Sequence, residues 1–444
     1  MTGCGVRGAG LGVVGFLVIA SAPGALAAQD SVPGGVRVGI TYTPGRRPSL
    51  AVVRAVPDMA AVDSAQAILA RDFDQSDRFE TISGAATDPP ADPTRRNAGA
   101  IRQVFMGSRA ADVLVVAEPG PGGVRVLAFD VGTGSTLHES VVASPATPAG
   151  RRAVHLAADA IVGAATGQSG IAATQLLFVR RGRIVRVDAD GQGLEELRTA
   201  GNPALSPAWS PDGRRFAYTA FVRSGQPIVI QDLDGTRRDI VPTTEEGLNI
   251  TPVFAPDGRQ LAFAHGTEGG TDIYLYDVAR GRVDRLTVGR FADNLSPAWS
   301  PDGRRLAFIS NRGATPQLYV MNADGTGQEV LARFDYGATG TTSAPSWSPD
   351  GQLVAFHREV AGTPQLFVVD VSSRAVRQLS GAGRNEDPAW APDSRHLVFV
   401  SNRTGERELW VLDVETGRLR QLTRGGGARL PAWSPRLTNT GDAH

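Results

Sequence analysis

The chain has 444 residues, 41% of them hydrophobic and 20% charged, a balance that supplies a core and excludes a disordered or fibrous polymer. Its 45 basic residues, every one an arginine, meet 45 acidic ones, so the formal net charge is zero and no global field draws the chain onto nucleic acid or an anionic membrane. The single cysteine, Cys4, excludes a disulfide framework.

In chain order, Arg7 and the apolar run LGVVGFLVIA (11–20) read as an export leader over residues 1–28. The run is too short to span a bilayer. Ala25 and Ala27 suit a cleavage site near Ala27 or Ala28, which removes Cys4 and leaves an exported chain without thiol chemistry. VRVGITY (36–42) predicts a strand. Pro57-Asp58 then opens a helix that puts Val62, Ala65, Ile68, Leu69 and Phe73 on one face. AIRQVF begins a second helix near 100–107, after a Pro-rich loop over 84–98. DVLVVAEP and VRVLAFD predict a strand pair around a Gly-rich turn, and residues 151–166 a third helix. This mixture over 29–166 predicts an α/β domain.

From 167 to 444 the texture changes to a repeat. The phrase SPAWSPDGRRFAY (206–218) returns as SPAWSPDGRRLAF (296–308), and its aromatic position is held by Trp209, Phe254, Trp299, Trp347, Trp390 and Trp433. The copies are 43 to 48 residues apart, with proline two positions before and two after every aromatic. Ser-Pro-Asp-Gly is a turn: proline presets φ, aspartate bonds its own backbone and glycine tolerates positive φ. Each unit therefore reads as four short strands, the period and content of a propeller blade, with the aromatic packed between neighbouring sheets. Residues 176–199 hold three strands without the phrase, and 429–435 hold the phrase without strands. If the C-terminal strand completes the first blade, an all-β six-bladed propeller closes behind the α/β domain with no free edge.

This order of parts resembles the TolB family, periplasmic components of the Tol–Pal system. The resemblance is carried by AQAILARDFDQSDRFETI (65–82), ADVLVVAEPG with VRVLAFDVGTGSTL (111–137), and RRAVHLAADAIVGAATGQSGIAATQLLFV (151–179). It departs from the family pattern at Asp77, where a glycine is usual. The resemblance implies a non-catalytic scaffold that docks the peptidoglycan-associated lipoprotein Pal at the propeller mouth and supports outer-membrane integrity, protein import and cell division. It also implies a contact with TolA through the mature N-terminal tail, here Ala28 to Val36, although this tail lacks the family's usual apolar-acidic opening.

Reactive chemistry has no candidate residues in the chain. The chain contains no Gly-x-Ser-x-Gly elbow, its six histidines have no metal-ligand spacing, and a phosphate-binding loop lacks its lysine. DADG (188–191), DLDG (232–235) and NADG (322–325) lack a calcium loop's terminal glutamate and recur where hairpin turns belong. Neither cofactor nor metal is expected. What remains is a binding surface at the loops entering the innermost strands. Asn249, Asn294, Thr342 and Asn385 stand five residues before their aromatics, with Thr251, Ser296, Glu386 and Asp387 close behind as hydrogen-bonding groups and a local acidic patch. Position alone leaves two readings, partner contacts or turn caps. The resemblance favours contacts. The alternative is an exported propeller serving a peptidase or other envelope enzyme as accessory or sensor.

Overall fold

The computed structural model describes residues 47–83, 92–108, 110–242, 247–289, 292–334 and 340–437. The expected leader, the strand over 36–42, the N-terminal tail and part of the Pro-rich loop lie outside them.

The first strand, β1 (Ser49–Arg54), is not among the predicted elements. Its residues Leu50 to Val53 are all buried, so it shows no alternation of apolar and polar side chains. That is the pattern of a strand covered on both faces. β1 pairs in parallel with β2 (Glu80–Ile82) and β3 (Val113–Gly120); β4 (Gly123–Asp130) and β5 (Thr136–Val142) extend the sheet antiparallel, in the order β2-β1-β3-β4-β5. Leu50 and Val52 pack with helices α1 (Ala60–Gln75) and α3 (Pro148–Thr166), while Ala51 and Val53 pack with α2 (Ala98–Ser108). α1 buries the expected Val62, Ala65, Ile68, Leu69 and Phe73, and one acid, Asp72. α3 begins with Thr147, whose hydroxyl accepts from the Gly150 amide at 3.0 Å, and ends at Gly167 with φ +74°.

Six four-stranded sheets follow. We number them by their innermost strands: Ala204–Trp209, Leu248–Phe254, Asn294–Trp299, Thr342–Trp347, Asn385–Trp390 and Ala428–Trp433. Blades 1 to 5 run outward in chain order, but the innermost strand of blade 6 pairs with Gln175–Arg180 from the start of the ring, Ala428 opposite Arg180 and Trp433 opposite Leu176. The expected closure by the C-terminal strand is present.

The repeated aromatic explains why the ring holds. Each is 5 to 8% exposed, and each belongs to a cluster drawn from two blades. Phe254 meets Ala217, Ile228 and Ile230 of blade 1, and Trp390 meets Ala355, Leu366 and Val368 of blade 4. The Trp209 indole donates to the Ala432 carbonyl at 3.2 Å and the Trp390 indole to the Ser346 carbonyl at 3.1 Å, tying each blade to the one before it. Trp433, on the closing strand, donates to the Thr174 hydroxyl at 2.8 Å. Trp433→Ala therefore opens a cavity at the closure itself, and urea unfolding is expected to show a loss of about 3–5 kcal/mol. A loss near 1 kcal/mol would mean that this strand contributes little.

The sheet region sits on blades 5 and 6 through charged side chains. At blade 6, Asp190 accepts from Arg151 at 2.6 Å and Arg71 at 3.2 Å; beside Arg151, His155 Nδ1 of α3 lies 2.7 Å from buried Asp72 of α1, within the sheet region itself. At blade 5 the contact centres on Asp77, just past the end of α1 with φ +54°. Its carboxylate meets His396 Nε2 at 3.1 Å and Arg418 Nη1 at 2.8 Å, and its carbonyl accepts from Arg395 at 3.0 Å. His396 is fully buried, and its Nδ1 meets Asp393 at 2.7 Å. Arg395 is paired with Asp413 at 2.6 Å and Glu415 at 3.0 Å, and Arg418 also holds Asp74 at 2.7 Å.

Burial opposes charge on His396, but its two carboxylate partners outweigh burial and hold its pKa above the ordinary 6.5. Burial likewise opposes charge on Asp77 and Asp393, yet their partners, His396 foremost, hold both below the ordinary 3.8. The imidazolium's contribution is complete below the unfolded histidine value and is lost as pH rises through the raised folded one. The carboxylates' contribution is present above their unfolded value and is lost as pH falls through the depressed folded ones. Thermal unfolding followed from mildly acid to alkaline pH should show stability falling on the alkaline side. His396→Gln should cost about 3 kcal/mol near neutrality and flatten that fall. An unchanged alkaline profile in the variant would remove His396 from the joint.

Candidate functional site at the propeller mouth

All six innermost strands carry the same irregularity. The residue three before each aromatic has positive φ although none is glycine: Ser206 (+52°), Thr251 (+51°), Ser296 (+51°), Ala344 (+51°), Asp387 (+54°) and Leu430 (+50°). At that point the pairing with the second strand slips by one residue in every blade, a β-bulge repeated six times around the channel. Each left-handed non-glycine residue costs on the order of 1 kcal/mol, which the packing on either side must hold in place. No glycine marks the position, so the sequence carries no direct signal of it.

The bulge divides the eight expected contact residues into two groups. Asn249, Asn294, Thr342 and Asn385 precede it and are 0 to 3% exposed, so their polar groups are spent inside the protein. Asn294 Nδ2 donates to Asp272 at 2.8 Å, and its Oδ1 accepts from Arg312 at 2.8 Å. Asn385 Nδ2 donates to Gln365 at 2.9 Å, and its Oδ1 accepts from Arg403 at 2.8 Å. Thr342 accepts from Arg358 at 3.2 Å, and Asn249 lies 2.8 Å from His265 Nδ1. These four shape the rim from behind rather than face it. Thr251, Ser296, Glu386 and Asp387, at and beside the bulge, are only partly buried.

The network behind the rim joins consecutive blades. Asp272 of blade 2 also accepts from the Thr287 hydroxyl at 2.6 Å and the Gly289 amide at 3.0 Å, in the segment leading to blade 3. Gln365 of blade 4 and Glu408 of blade 5 take the equivalent hydroxyls of Ser380 at 2.8 Å and Thr423 at 2.7 Å. The guanidinium groups stack on aromatics: Arg312 at 5.0 Å from the Tyr319 ring centre, Arg403 at 4.8 Å from Trp410 and Arg358 at 3.6 Å from Phe334. A signal for them was in the sequence, since Ser-Asn-Arg occurs at both 310–312 and 401–403. Asn385→Ala would leave Arg403 and Gln365 short of a partner and is expected to cost about 2 kcal/mol in urea unfolding. Ser296→Ala, by contrast, should cost less than about 0.5 kcal/mol.

The acidic patch expected from Glu386 and Asp387 is neutralised in place. Glu386 pairs with Arg384 at 3.1 Å and Arg407 at 3.3 Å. The Asp387 carboxylate accepts the Leu430 amide of blade 6 at 3.3 Å, and its own amide donates to His357 Nδ1 at 3.1 Å. Burial raises the Asp387 pKa and lowers that of His357, which disfavours charge on both. The Asp-Gly turns lie elsewhere, between the outer strands. Gly191, Gly235 and Gly325 each donate to the residue three back, at 2.8, 2.9 and 2.9 Å.

The profile described as the TolB beta propeller domain matches residues 163–336 and 326–440. The chain belongs to the TolB family. The Tol-Pal system protein TolB of Methylococcus capsulatus is 33% identical over 205 residues, covering 43% of this chain and 47% of the relative. Its namesake in Thioalkalivibrio sulfidiphilus is 33% identical over 159 residues, covering 33% of this chain and 36% of the relative. The chain thus aligns with less than half the length of these two curated relatives. The crystal structure of TolB from Acinetobacter baumannii superposes with a TM-score of 0.72 at 24% identity, over 89% of this chain and 98% of that one. At that identity the likeness speaks for the fold, which is the TolB arrangement of an α/β region and a six-bladed propeller.

Proposed function

We propose that this chain is an exported, non-catalytic scaffold of the Tol–Pal system. It binds a Pal-like peptidoglycan-associated lipoprotein through the propeller mouth and supports outer-membrane integrity, protein import and cell division. On this reading residues 1–28 are a leader and the protein works in the periplasm, peripheral to membranes through its partners. The tail Ala28 to Val36 would offer the TolA contact.

The observation that carries the reading is family membership combined with a mouth built of six like bulges. The repeated irregular backbone at Thr251, Ser296 and their counterparts supports a mouth where a protein loop would meet several strands at once. A non-catalytic role is supported by how the histidines are used: His155, His265 and His396 are each tied to a carboxylate or amide within the fold. No helix among the described residues is long and apolar enough to cross a membrane.

The test is capture of the soluble domain of the organism's own Pal-like lipoprotein by the mature chain in an equimolar complex. Substituting Thr251 and Ser296 with arginine, which blocks the entrance, should abolish capture while leaving the unfolding midpoint unchanged. Failure of the unaltered protein to bind, or turnover of envelope peptides by it, would overturn the proposal.

A further inference from the structure

Zero net charge conceals an uneven mouth. Four residues before the aromatic, at the innermost strands, the ring reads Leu205, Ile250, Leu295, Ser343, Glu386 and Arg429. Blades 1 to 3 are apolar there, and exposed Leu248 and Val288 add to that side. Blades 5 and 6 carry charge there, Glu386 in blade 5 and Arg429 in blade 6, and arginines predominate around them. Arg429 is exposed, as are Arg424 in the segment entering blade 6 and Arg181 in the hairpin between its next two strands. The Arg424 carbonyl accepts from Arg180 at 3.2 Å, and Arg181 lies against Gly427, so the three occupy one neighbourhood. The Leu430 amide reaches Asp387 and so joins that neighbourhood to Glu386 and its arginines, Arg384 and Arg407.

Six guanidinium groups therefore meet four carboxylates on this arc. Glu386 and Asp387 are already engaged, Glu408 is buried with Arg180 at 3.9 Å, and Glu406 is the exposed fourth. Among the described residues, Arg181, Arg424 and Arg429 have no ion-pair partner. Unpaired guanidinium groups at a rim attract planar oxyanions and raise the association rate of an acidic partner. We propose that the mouth is a two-sided receptor for a protein loop that carries carboxylates toward blades 5 and 6 and an apolar side chain toward blades 2 and 3. The proposal rests on the mouth being the contact face and adds the chemistry of what it contacts.

The measurement is the affinity of the mature chain for the soluble Pal-like domain as salt is raised, for the unaltered protein and for the triple variant Arg181→Glu, Arg424→Glu, Arg429→Glu. All three side chains are exposed, so the variant should keep its unfolding midpoint. Expected are affinity that falls with salt, a loss of about tenfold or more in the variant, and a flatter salt dependence. Leu248→Ser with Val288→Ser should weaken binding without changing that dependence. If the unaltered protein binds and the arginine variant binds equally well at every salt, the acidic-loop proposal fails while the Pal reading stands. If the unaltered protein does not bind Pal, that reading fails, and peptides with one leucine flanked by glutamate, serine or lysine decide the chemistry. Preferential capture of the glutamate peptide supports the proposal. Equal capture, or tighter binding to anionic lipid vesicles than to the glutamate peptide, overturns it.

Discussion

Everything in this molecule depends on an aromatic side chain that one blade cannot bury alone. Each of the six sits at the end of an innermost strand and finishes its burial on the sheet before it. An isolated four-stranded sheet would present that ring and its flanking apolar residues to water, so the units are stable only as a closed cycle. Closure through Ala428–Trp433 is therefore a condition of the fold. It also binds the beginning of the ring to its end, a sequence separation of some 250 residues, and so makes the mouth a property of the whole cycle.

The bulge gains its meaning from that closure. Six positive-φ residues in a row of strands would relax in a free sheet, since none of them is glycine. Here each is held between a buried residue before it, polar in blades 2 to 5 and alanine in blades 1 and 6, and the proline and aromatic after it. Asn294 and Asn385 are locked by an arginine from their own blade and an acid or amide from the preceding one. The rim is thus a ring of partly buried bulge residues standing on an internal polar frame. The side chains with the most hydrogen-bonding capacity are in the frame, not at the surface.

What the sequence discloses follows from which features are local and periodic. Blade number, the turn chemistry, the aromatic between sheets, α1, α3 and the closing strand are all legible, because each repeats or alternates along the chain. β1 is not, since a six-residue run buried on both faces has neither period. The bulge is hidden for a different reason: left-handed φ is ordinarily flagged by glycine, and here the geometry is imposed by packing on Ser, Thr, Ala, Asp and Leu. The eight residues read as rim contacts divide between rim and frame because burial depends on the neighbouring blade, which local spacing does not report.

Asp77 brings these strands of reasoning together. It stands at a position whose φ of +54° suits glycine, so the backbone is poorly served by the residue present. The loss is offset by chemistry that glycine lacks: the carboxylate joins His396 and Arg418 of blade 5 to the end of α1. The strand His396–Thr404 leads from that joint up to Ser401 and Arg403, the latter bonded to Asn385 behind Glu386 and Asp387 at the mouth. One blade therefore carries the fixed attachment of the α/β region at one end and the start of the basic arc at the other. The charge placed at that turn ties blade 5 to the α/β region, as Asp190 ties blade 6. On the apolar side, blades 2 and 3 have no such anchor to the α/β region among the described residues and are held by interblade packing and by the polar frame behind the rim.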